Sequence, residues 1–569
     1  MAESLPSSAS PASVNKPQNG LAGLKHWPYD LRSGFMVAMI SLPFSMGIAI
    51  TSGAPAVCGI TSAIIAGFVL PFLGGSYVTI SGPAAGLAPA LFAGMLALGH
   101  GDLEKGYPLV LVAILLAGAL QVILARFKVA RLSALFPSAA IHGMLAAIGL
   151  LIIVKQIPLF MGEKFESHEF WAILGEVPRK VRTMDVQVFG LGLACVAALF
   201  TLAALPFRLL KIMPPPVWVF LGGTVVTQLF LGIQGSKLIH VPEAPLANGI
   251  VLPNFQGILH DQSLWLPLVW IVVTLLLIDG TESLATIAAV DRIDPWRRKS
   301  DPDNTLFSMG ACNVCSSLLG GLTIIPGIVK STANILGGGR TQWANFFNAC
   351  FLLLFLTAGR DLINLVPKCV LAAILLFIGF KLCRPRVWVE TARVGWEQFF
   401  IFAITVFVTV TTDLLIGIAA GVAVKYVLTL WSHTLALAWN VMDEDDENRK
   451  PIRLRGLAAE LFRNPVARKE YVSGVYHLHC DRPMCCFNLF HLLREMDTIP
   501  PDAQEITMHL REGVTLIDHT TCETLFHYLQ EHNNHNGKAP LAIEGLDRMR
   551  SLSGHESSMR LGVPALSSE

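Results

Sequence analysis

The sequence predicts an α-helical polytopic membrane protein of seven plus seven spans arranged as inverted repeats, followed by a small cytoplasmic α/β domain. Three observations lead to this prediction. The 569 residues are 53% hydrophobic and only 15% charged, whereas roughly 25% of the residues in a soluble protein are charged. The apolar windows fall into two sets of seven, and the third window of each set is short and interrupted by Gly and Pro. Beyond residue 431 the sequence becomes charged, and strand-like runs alternate with helix-like runs.

The predicted spans are apolar windows of roughly 15–25 residues, about the length that a helix needs to cross a bilayer. An odd number of spans in each set requires the two sets to have opposite orientations. The repeats cover about 30–232 and 260–435, and the polar stretch 233–262 lies between them. The spans of the first repeat are 33–52, 57–73, 84–98, 107–125, 131–154, 187–205 and 215–232, and those of the second are 263–290, 305–320, 327–337, 342–358, 362–383, 397–411 and 413–432.

We expect four segments along the chain: a disordered tail over 1–24, a transmembrane domain over 25–435, a linker over 436–470 and an α/β domain over 471–569. The tail lacks the apolar core of a secretory signal, so we expect no cleavage there. Lys and Arg cluster in the loops after spans four, six and eight, which all lie on one side of the membrane. The positive-inside rule then places both termini in the cytoplasm, with the spans in a cell (inner or plasma) membrane. These basic residues are Arg126, Lys128, Arg131, Arg208, Lys211, Arg292, Arg297, Arg298 and Lys299.

The interrupted windows read YVTISGPAAGLAPALF near position 80 and GLTIIPGIVKSTANIL near position 325. In each, extended residues meet Gly–Pro or Pro–Gly and give way to a helical stretch, which predicts two half-helices that begin inside the bilayer. Pro83 is expected in the first turn of one helix, and Ile328 at the start of the other. The free N–H groups and the positive dipole end of such a helix attract an anion. The alternative is that both sequences merely kink continuous spans.

Carboxylates interrupt the eighth span, which contains LLLIDGTESLATIAAVDRID from position 275. Glu282 and Thr286 share one helix face, and Asp279 lies one turn earlier on nearly the same face. Ionisable groups inside a span are costly and usually mark a cation or proton path. A carboxylate beside a hydroxyl suits Na⁺ and a lone buried carboxylate suits H⁺, and we expect no cofactor other than this coupling ion. Alternatively, Asp279 and Glu282 satisfy helix ends or pair with Lys330.

The end of this span contains Asp291 and Asp294 beside Arg292 and Arg297, which we interpret as a solvated helix end. The net charge of +1 gives no electrostatic reason to expect nucleic acid binding. No phosphate-binding loop supports the use of ATP, and the 11 scattered cysteines form no disulfide pattern.

The C-terminal region alternates runs such as VYHLHC and EITMHL with helix-like stretches, which predicts an α/β domain. Asp518 and Thr520 follow a strand, where Thr520 could be phosphorylated or Asp518 could cap the next helix. Cys480, His519 and Cys522 are zinc-ligand types without a complete ligand set, so we predict no metal site.

Three motifs of the membrane region together resemble the SulP family of anion transporters, which includes carriers of sulfate, chloride and bicarbonate. They are SGPAAGL at 81–87, ESLAT at 282–286 and IVKSTANILGGGRT at 328–341. In addition, GVTLIDHTTCETLFHYLQ at 513–530 is similar to the core of the STAS domain that follows the membrane region in this family. The resemblance covers the chain from about Trp27 onwards. It implies a transporter rather than an enzyme, in the form of a homodimer in the lipid bilayer.

The resemblance also implies a core that carries a small inorganic anion and moves like an elevator against a gate. The anion would lie between the starts of spans three and ten, and LPFSMGIA at 42–49 is similar to the stretch that lines the family's pocket. The substrate-binding residues implied in this way are Phe44, Ser45, Ile48, Ala84, Ala85, Gly86, Val329 and Lys330, and the coupling-ion residues are Glu282, Thr286 and Asp279.

The sequence departs from the family pattern at two positions. Lys330 stands where many relatives have Arg, which keeps the charge but lacks the planar fork that grips an oxyanion. Phe44 stands where many have Gln or another polar residue. The SGPAAGL motif is similar to that of bacterial members sometimes fused to carbonic anhydrase, which favours bicarbonate as the substrate and sulfate next. The alternatives are a dicarboxylate/H⁺ symporter, an uncoupled anion channel and a membrane-anchored signalling module.

Overall fold

The structure is a computed structural model of the chain. It describes residues 16–128, 137–167, 169–205, 215–233, 235–241, 250–412, 414–442, 454–496, 498–500, 503–534 and 539–562. Contacts divide the chain into two compact units. The first contains Met1–Arg126 and Ala197–Leu371, and the second contains Phe127–Val196 and Ala372–Glu569. Arg131, Arg208 and Lys211, which helped to predict the orientation, lie outside the described residues.

Each of the fourteen predicted spans contains a helix. Within the described ranges, seven helices are long and apolar enough to cross a membrane by length and composition, and four more apolar helices are shorter. The helices are α1 (Trp27–Thr51), α2 (Ala56–Leu73), α3 (Ala88–Leu98), α4 (Leu103–Arg126), α5 (Ser138–Met161), α6 (Phe170–Lys180), α7 (Val186–Ala204), α8 (Pro215–Val226), α9 (Phe255–His260), α10 (Trp265–Ile293), α11 (Pro302–Leu318), α12 (Ile328–Leu336), α13 (Trp343–Ala358), α14 (Arg360–Asn364), α15 (Lys368–Cys383), α16 (Pro385–Val394), α17 (Trp396–Thr411), α18 (Leu414–Met442), α19 (Leu454–Glu460), α20 (Cys486–Met496) and α21 (His519–Asn534).

The two interrupted windows form a short antiparallel ribbon in the first unit. Strand β1 (Ser81–Pro83) pairs with strand β2 (Ile324–Pro326), so that Gly82 lies opposite Ile325. Helix α3 follows β1, and helix α12 follows β2. The prediction that the third and tenth spans are half-helices preceded by extended residues is therefore confirmed, and the alternative of continuous kinked spans is wrong.

The predicted start of α3 is wrong by several residues. Pro83 is the last residue of β1 rather than part of the first helical turn, and residues 85–87 form a turn before α3 begins at Ala88. The proline in the first turn of α3 is Pro89, whose missing N–H and fixed φ suit that position. The predicted start at Ile328 is correct, since α12 begins there.

Small residues let the helices around this ribbon approach closely. Gly59 of α2 lies against the backbone carbonyl of Ser45 in α1, and Gly67 of α2 lies against the backbone of Asn345 in α13. A Cβ atom at either glycine would collide with the backbone of the neighbouring helix. Close packing through small residues is typical of membrane spans, and here it fixes α1, α2 and α13 beside the interrupted spans.

The second unit contains the C-terminal α/β domain. Its main sheet has the order β3 (Val466–Val472), β4 (Val475–Cys480), β5 (Glu505–Leu510) and β7 (Leu541–Glu544). Strands β3 and β4 are antiparallel, whereas β4, β5 and β7 are parallel. A second sheet pairs β6 (Leu516–Ile517), β9 (Arg560–Gly562) and β8 (Met549–Ser551). The predicted small α/β domain is confirmed, and its first strand begins before residue 471.

Helix α18 packs on this domain through a buried ion pair. The Lys425 ammonium lies 3.0 Å from Oδ2 of Asp518, and both side chains are fully buried. Asp518 also caps α21, because its Oδ1 accepts a hydrogen bond from the Thr521 N–H at 2.9 Å. The capping interpretation of Asp518 is therefore confirmed. Burial raises the pKa of the Asp518 carboxyl, but Lys425 and the backbone N–H donors outweigh burial and hold the pKa below its usual value.

Candidate functional site

The β1–β2 ribbon and the starts of α3 and α12 form the candidate substrate site, which lies entirely in the first unit. The two helices leave from opposite ends of the ribbon, because β1 and β2 are antiparallel. Pro83 and Pro326, the last residues of the strands, are offset by two positions in register, about 7 Å along the strand direction. Helices α1 and α10 each contact both α3 and α12. Two helix N-termini are thus held close together beside the same two long helices.

Hydrogen bonds across the ribbon decide which backbone donors remain available. The Ala84 N–H donates to the Thr323 carbonyl at 3.2 Å, and the Gly327 N–H donates to the Ile80 carbonyl at 2.9 Å. Ala84 was predicted to contact the substrate through its backbone, but its N–H is already used within the ribbon. The available donors next to β1 therefore start at Ala85.

The free donors lie in the turn before α3 and in the first turn of α12. The Ser331 N–H makes the first intrahelical bond of α12, to the Gly327 carbonyl at 2.9 Å. The N–H groups of residues 328–330 precede it and have no intrahelical acceptor. In the described part of the chain, the N–H groups of Ala85 and Gly86 also lack a backbone acceptor. Each tip carries roughly half a positive charge from the helix dipole, so the arrangement suits an anion.

Polar side chains hold the interrupted backbone in place. The Ile80 N–H donates to Oγ of Ser331 at 3.0 Å, and the Ser81 N–H donates to Oδ1 of Asn345 at 3.1 Å. The Asn345 amide also donates to the Thr79 carbonyl at 2.6 Å. Non-helical backbone at membrane depth needs such partners because lipid offers none. Ser331 and Asn345 were not among the predicted site residues, although both are polar residues in short apolar segments.

Lys330 is the cation of the site. Its side chain is buried, and its Nζ lies 3.3 Å from Oγ of Ser45 and 6.0 Å from the centre of the Phe44 ring. A Cβ atom at Gly82 would lie 2.6 Å from this Nζ, so the ammonium packs directly against β1. Among the described residues, no carboxylate lies within ion-pair distance of Lys330, which excludes the proposed architectural bridge to Asp279 or Glu282 in this structure. The positive charge of Lys330 is therefore available to an anion.

The three residues predicted on α1 lie beside Lys330 or on the adjoining buried part of that helix. Phe44, Ser45 and Ile48 are all buried. Ser45 accepts the lysine contact, and Phe44 presents an apolar ring to the same ammonium. On α12, by contrast, Val329 is 37% exposed. The structure thus brings Phe44, Ser45 and Lys330 together.

Glu282 of α10 lies against the turn that precedes α3. A Cβ atom at Gly86 would come within 2.8 Å of Oε1 of Glu282, so a larger residue there would require the carboxyl group to move. Oε2 of Glu282 is buried and has no hydrogen-bond partner among the described residues. Thr286 is buried one turn further along the same continuous helix. Glu282 therefore lies directly beside one helix tip, and its pairing with Thr286 remains a prediction.

Asp279 occupies a different environment from Glu282. Its carboxylate accepts hydrogen bonds from Nε2 of Gln121 at 3.0 Å, Nδ2 of Asn313 at 2.6 Å and Oγ of Ser283 at 3.1 Å. Oδ1 of Asn313 accepts the Ile324 N–H of β2 at 2.6 Å. Asp279 thus ties α10 to α4 and α11 and, through Asn313, to the ribbon. Gln121 and Asn313 could not be predicted from the sequence, because contacts between distant spans leave no local pattern.

The predicted solvation of the end of α10 is correct for Arg297, which is exposed, and wrong for Asp294. Asp294 and Arg298 are both buried, and the Arg298 guanidinium donates to the Asp294 carboxylate at 2.8 and 2.9 Å. Arg298 also donates to the carbonyl of Pro17 at 2.9 Å. Both residues lie in the irregular segment that follows α10, beyond its last helical residue Ile293. Of the tail predicted over 1–24, residues 16–24 are described and include this contact, whereas residues 1–15 lie outside the described residues.

The zinc-ligand types Cys480, His519 and Cys522 have different surroundings in the α/β domain. Cys480 and Cys522 lie in its hydrophobic core, whereas Nδ1 of His519 lies 2.6 Å from the Ser557 carbonyl. Thr520 is 8% exposed, and its phosphorylation remains a prediction.

Comparison with known proteins identifies the relatives of this chain. The model of the sulfate permease family matches residues 28–405. YvdB of Bacillus subtilis, named a candidate sulfate transporter, is 27% identical over 417 residues, which are 71% of this chain and 74% of YvdB. The bicarbonate transporter BicA of Picosynechococcus sp. is 24% identical over 405 residues, 70% of each chain.

Two solved structures share the fold. The transmembrane domain of a cyanobacterial bicarbonate transporter BicA matches with a TM-score of 0.62 at 22% identity, covering 70% of this chain and 98% of that one. The anion transporter SLC26A9 matches with a TM-score of 0.61 at 14% identity, covering 91% of this chain and 84% of that one. The predicted fold class is thereby confirmed. The chain belongs to the sulfate permease (SulP) family, whose members are membrane transporters of anions and not enzymes.

Proposed function

We propose that this protein is a secondary active transporter of a small inorganic anion, with bicarbonate as the most favoured substrate and sulfate next. The observation that carries the proposal is the pairing of two helix tips with the buried, carboxylate-free ammonium of Lys330. Two half-charges from the helix dipoles and one full charge from Lys330 favour an anion of low charge. Bicarbonate is the favoured substrate because bicarbonate transporters are among the relatives, and sulfate is next because the chain matches the sulfate permease family.

Recognition of the anion is expected to depend on the backbone more than on side chains. The free N–H groups of Ala85, Gly86 and Val329 are donors of fixed direction that suit the oxygens of a small oxyanion. Phe44 and Ile48 add buried apolar surface, which makes the site poor for a large polar solute. A dicarboxylate would need a second cationic group. Among the described residues of the first unit, Lys330 is the cationic side chain located at these two helix tips.

The coupling ion is proposed to bind at Glu282, with Thr286 as a further oxygen ligand. A buried carboxylate oxygen without a partner is costly, and either Na⁺ or H⁺ at that oxygen would relieve the cost. Because Glu282 lies against the α3 tip, its negative charge opposes an anion there until a cation neutralises it. Each ion then favours the binding of the other, and such coupling is reciprocal.

The same site supports alternating access of the elevator type. All proposed substrate and coupling-ion residues belong to the first unit, so they can move together as one body. We further propose that the spans lie in a cell membrane with both termini in the cytoplasm, and that the protein acts as a homodimer. These last points rest on the positive loops and on the resemblance to the family.

The proposal is tested by transport into proteoliposomes that contain the purified full-length protein. Uptake of labelled bicarbonate, sulfate and fumarate is measured with and without an inward Na⁺ gradient or H⁺ gradient. We expect bicarbonate uptake that one of the two gradients drives, and Glu282→Gln should abolish the response to that gradient. Gradient-independent uptake in both proteins would refute coupling, and ion flux far above carrier turnover would instead indicate a channel.

A further inference from the structure

The chain segment that precedes α1 is bound to the rest of the first unit at both of its ends. The Arg298 guanidinium donates a hydrogen bond to the Pro17 carbonyl at 2.9 Å, and Nε1 of Trp343 donates to the Gly20 carbonyl at 2.8 Å. A short 3₁₀ helix then leads into α1. Residues 17–20 form what is called here the N-terminal strap. It belongs to the first unit, and the transport mechanism proposed above does not use it.

Asn19 lies within the strap and bridges two other segments of the first unit. Its Nδ2 donates to the carbonyl of Ser76, which follows α2, and its Oδ1 accepts the N–H of Gln342, just before α13, at 3.1 Å. Nε2 of Gln342 in turn donates to Oγ of Ser76 at 2.7 Å. Both Ser76 and Gln342 are buried. One side chain of the strap therefore completes a triangle of hydrogen bonds between the end of α2 and the start of α13.

Two routes connect this triangle to the ribbon of the candidate substrate site. In the first route, Oγ of Ser76 hydrogen-bonds to Oγ1 of Thr79. In the second, the Gln342 carbonyl accepts the N–H of Asn345 at 2.9 Å. The Asn345 side chain then donates to the Thr79 carbonyl and accepts the N–H of Ser81 in β1. Each step from the strap to β1 is thus a direct hydrogen bond.

The burial of these groups makes their hydrogen bonds matter for the position of β1. Thr79 is 2% exposed and Ser81 is fully buried, so water does not replace a bond that is lost, and an unpaired buried polar group is costly. Strand β1 leads directly into the turn whose Ala85 and Gly86 N–H groups are free. A displacement of β1 therefore displaces these donors, and hydrogen bonds weaken steeply when their geometry is wrong.

We propose that Asn19 is a positioning residue for the anion, because its two hydrogen bonds hold β1 where the N–H groups of Ala85 and Gly86 face the anion. Asn19 acts through Ser76 and Gln342. The inference rests on the proposed function, since it requires that these free N–H groups bind the anion. Because the strap belongs to the first unit, it stays with the anion site during alternating access.

The test compares variants of the full-length protein in amide hydrogen exchange and in equilibrium binding of labelled bicarbonate and sulfate. Asn19→Ala removes both bonds, whereas Asn19→Asp keeps the acceptor for Gln342 and loses the donor to Ser76. We expect both variants to exchange faster over residues 76–87 and to bind the anion about three- to tenfold more weakly. Asn254→Ala removes the hydrogen bond that caps α9 in the same unit and should change neither measurement.

Unchanged anion affinity in Asn19→Ala would overturn the proposal, whatever its midpoint of thermal unfolding, because a purely structural anchor changes stability alone. Wild-type affinity and exchange in Asn19→Asp would overturn the bridge between Ser76 and Gln342. If the wild type binds neither bicarbonate nor sulfate, the proposed function is wrong instead. The exchange rates over residues 76–87 then still decide whether Asn19 positions β1, since that measurement needs no anion.

Discussion

Asp279 and Glu282 are one turn apart on α10, but their surroundings differ, and we propose different roles for them. Asp279 accepts three hydrogen bonds from buried groups on three helices, whereas Oε2 of Glu282 has no partner among the described residues. Removing Asp279 should therefore destabilise the protein without removing the coupling site. Removing the charge of Glu282 should abolish coupling without destabilising the protein.

The magnitude for Asp279→Ala follows from the three donors that it leaves unpaired. Hydrogen bonds between membrane helices are worth about 0.6 kcal/mol on average and at most about 1.7 kcal/mol, so the two bonds to α4 and α11 give about 1–3 kcal/mol. The bond from Ser283 within α10 adds about 1 kcal/mol or less. Ser283→Ala removes only one donor and should cost about 1 kcal/mol or less. Glu282→Gln replaces a buried charge with a neutral group, so its stability should equal or exceed that of the wild type.

The assay is thermal unfolding of detergent-purified protein, followed at one fixed heating rate for all four proteins. We expect the midpoint to fall in the order wild type or Glu282→Gln, Ser283→Ala and Asp279→Ala. Equal midpoints for Asp279→Ala and Glu282→Gln would refute the assignment of Asp279 as a structural tie. Loss of gradient-driven uptake in a fully stable Asp279→Ala protein would restore it as a coupling residue.

Four further predictions concern the anion site and the contact with the α/β domain. Lys330→Met should weaken anion binding about 100-fold, because a charge about 5 Å from the anion contributes about 3 kcal/mol at an effective dielectric constant of about 20. Lys330→Arg keeps the charge and should retain most of the binding. Competition binding measures the affinity of both variants. Gly86→Ala should reduce uptake at normal expression, because its Cβ displaces the Glu282 carboxyl, and unchanged uptake would contradict that contact. Lys425→Met should destabilise the packing of α18 on the α/β domain by about 3–5 kcal/mol by leaving Asp518 buried and unpaired, as limited proteolysis would show. Since the pKa of Asp518 lies below its usual value, the contribution of its ion pair to this packing should be constant above about pH 4 and be lost as pH falls through the lowered pKa. A difference between wild type and Lys425→Met that disappears between pH 8 and 6 would contradict this.

The fold could be predicted from the sequence to the extent that local patterns determine it. Apolar length gave all fourteen spans, and the Pro326–Gly327 pair correctly placed the start of α12 at Ile328. The predicted start of α3 was wrong because two prolines, Pro83 and Pro89, are both compatible with the first turn of a helix. Only the pairing of β1 with β2, a contact between distant segments, decides that Pro83 belongs to a strand.

The site could be predicted less completely, because its geometry depends on contacts between spans. Helical spacing identified Glu282 and Thr286 as a pair, but it also placed Asp279 with them. Gln121 and Asn313 separate Asp279 from that pair, and neither stands in a recognisable motif. In the same way, the hydrogen bond from Ala84 to Thr323 removes a donor that the SGPAAGL motif suggests is free.

The central claim is that two helix tips and Lys330 bind an anion next to a cation site at Glu282. Equilibrium binding of labelled bicarbonate to the purified protein tests it most directly, with and without Na⁺ and at two pH values. We predict saturable binding that Na⁺ or a lower pH strengthens in the wild type, and that neither affects in Glu282→Gln. The absence of saturable binding of bicarbonate, or of sulfate in its place, under every condition would contradict the claim.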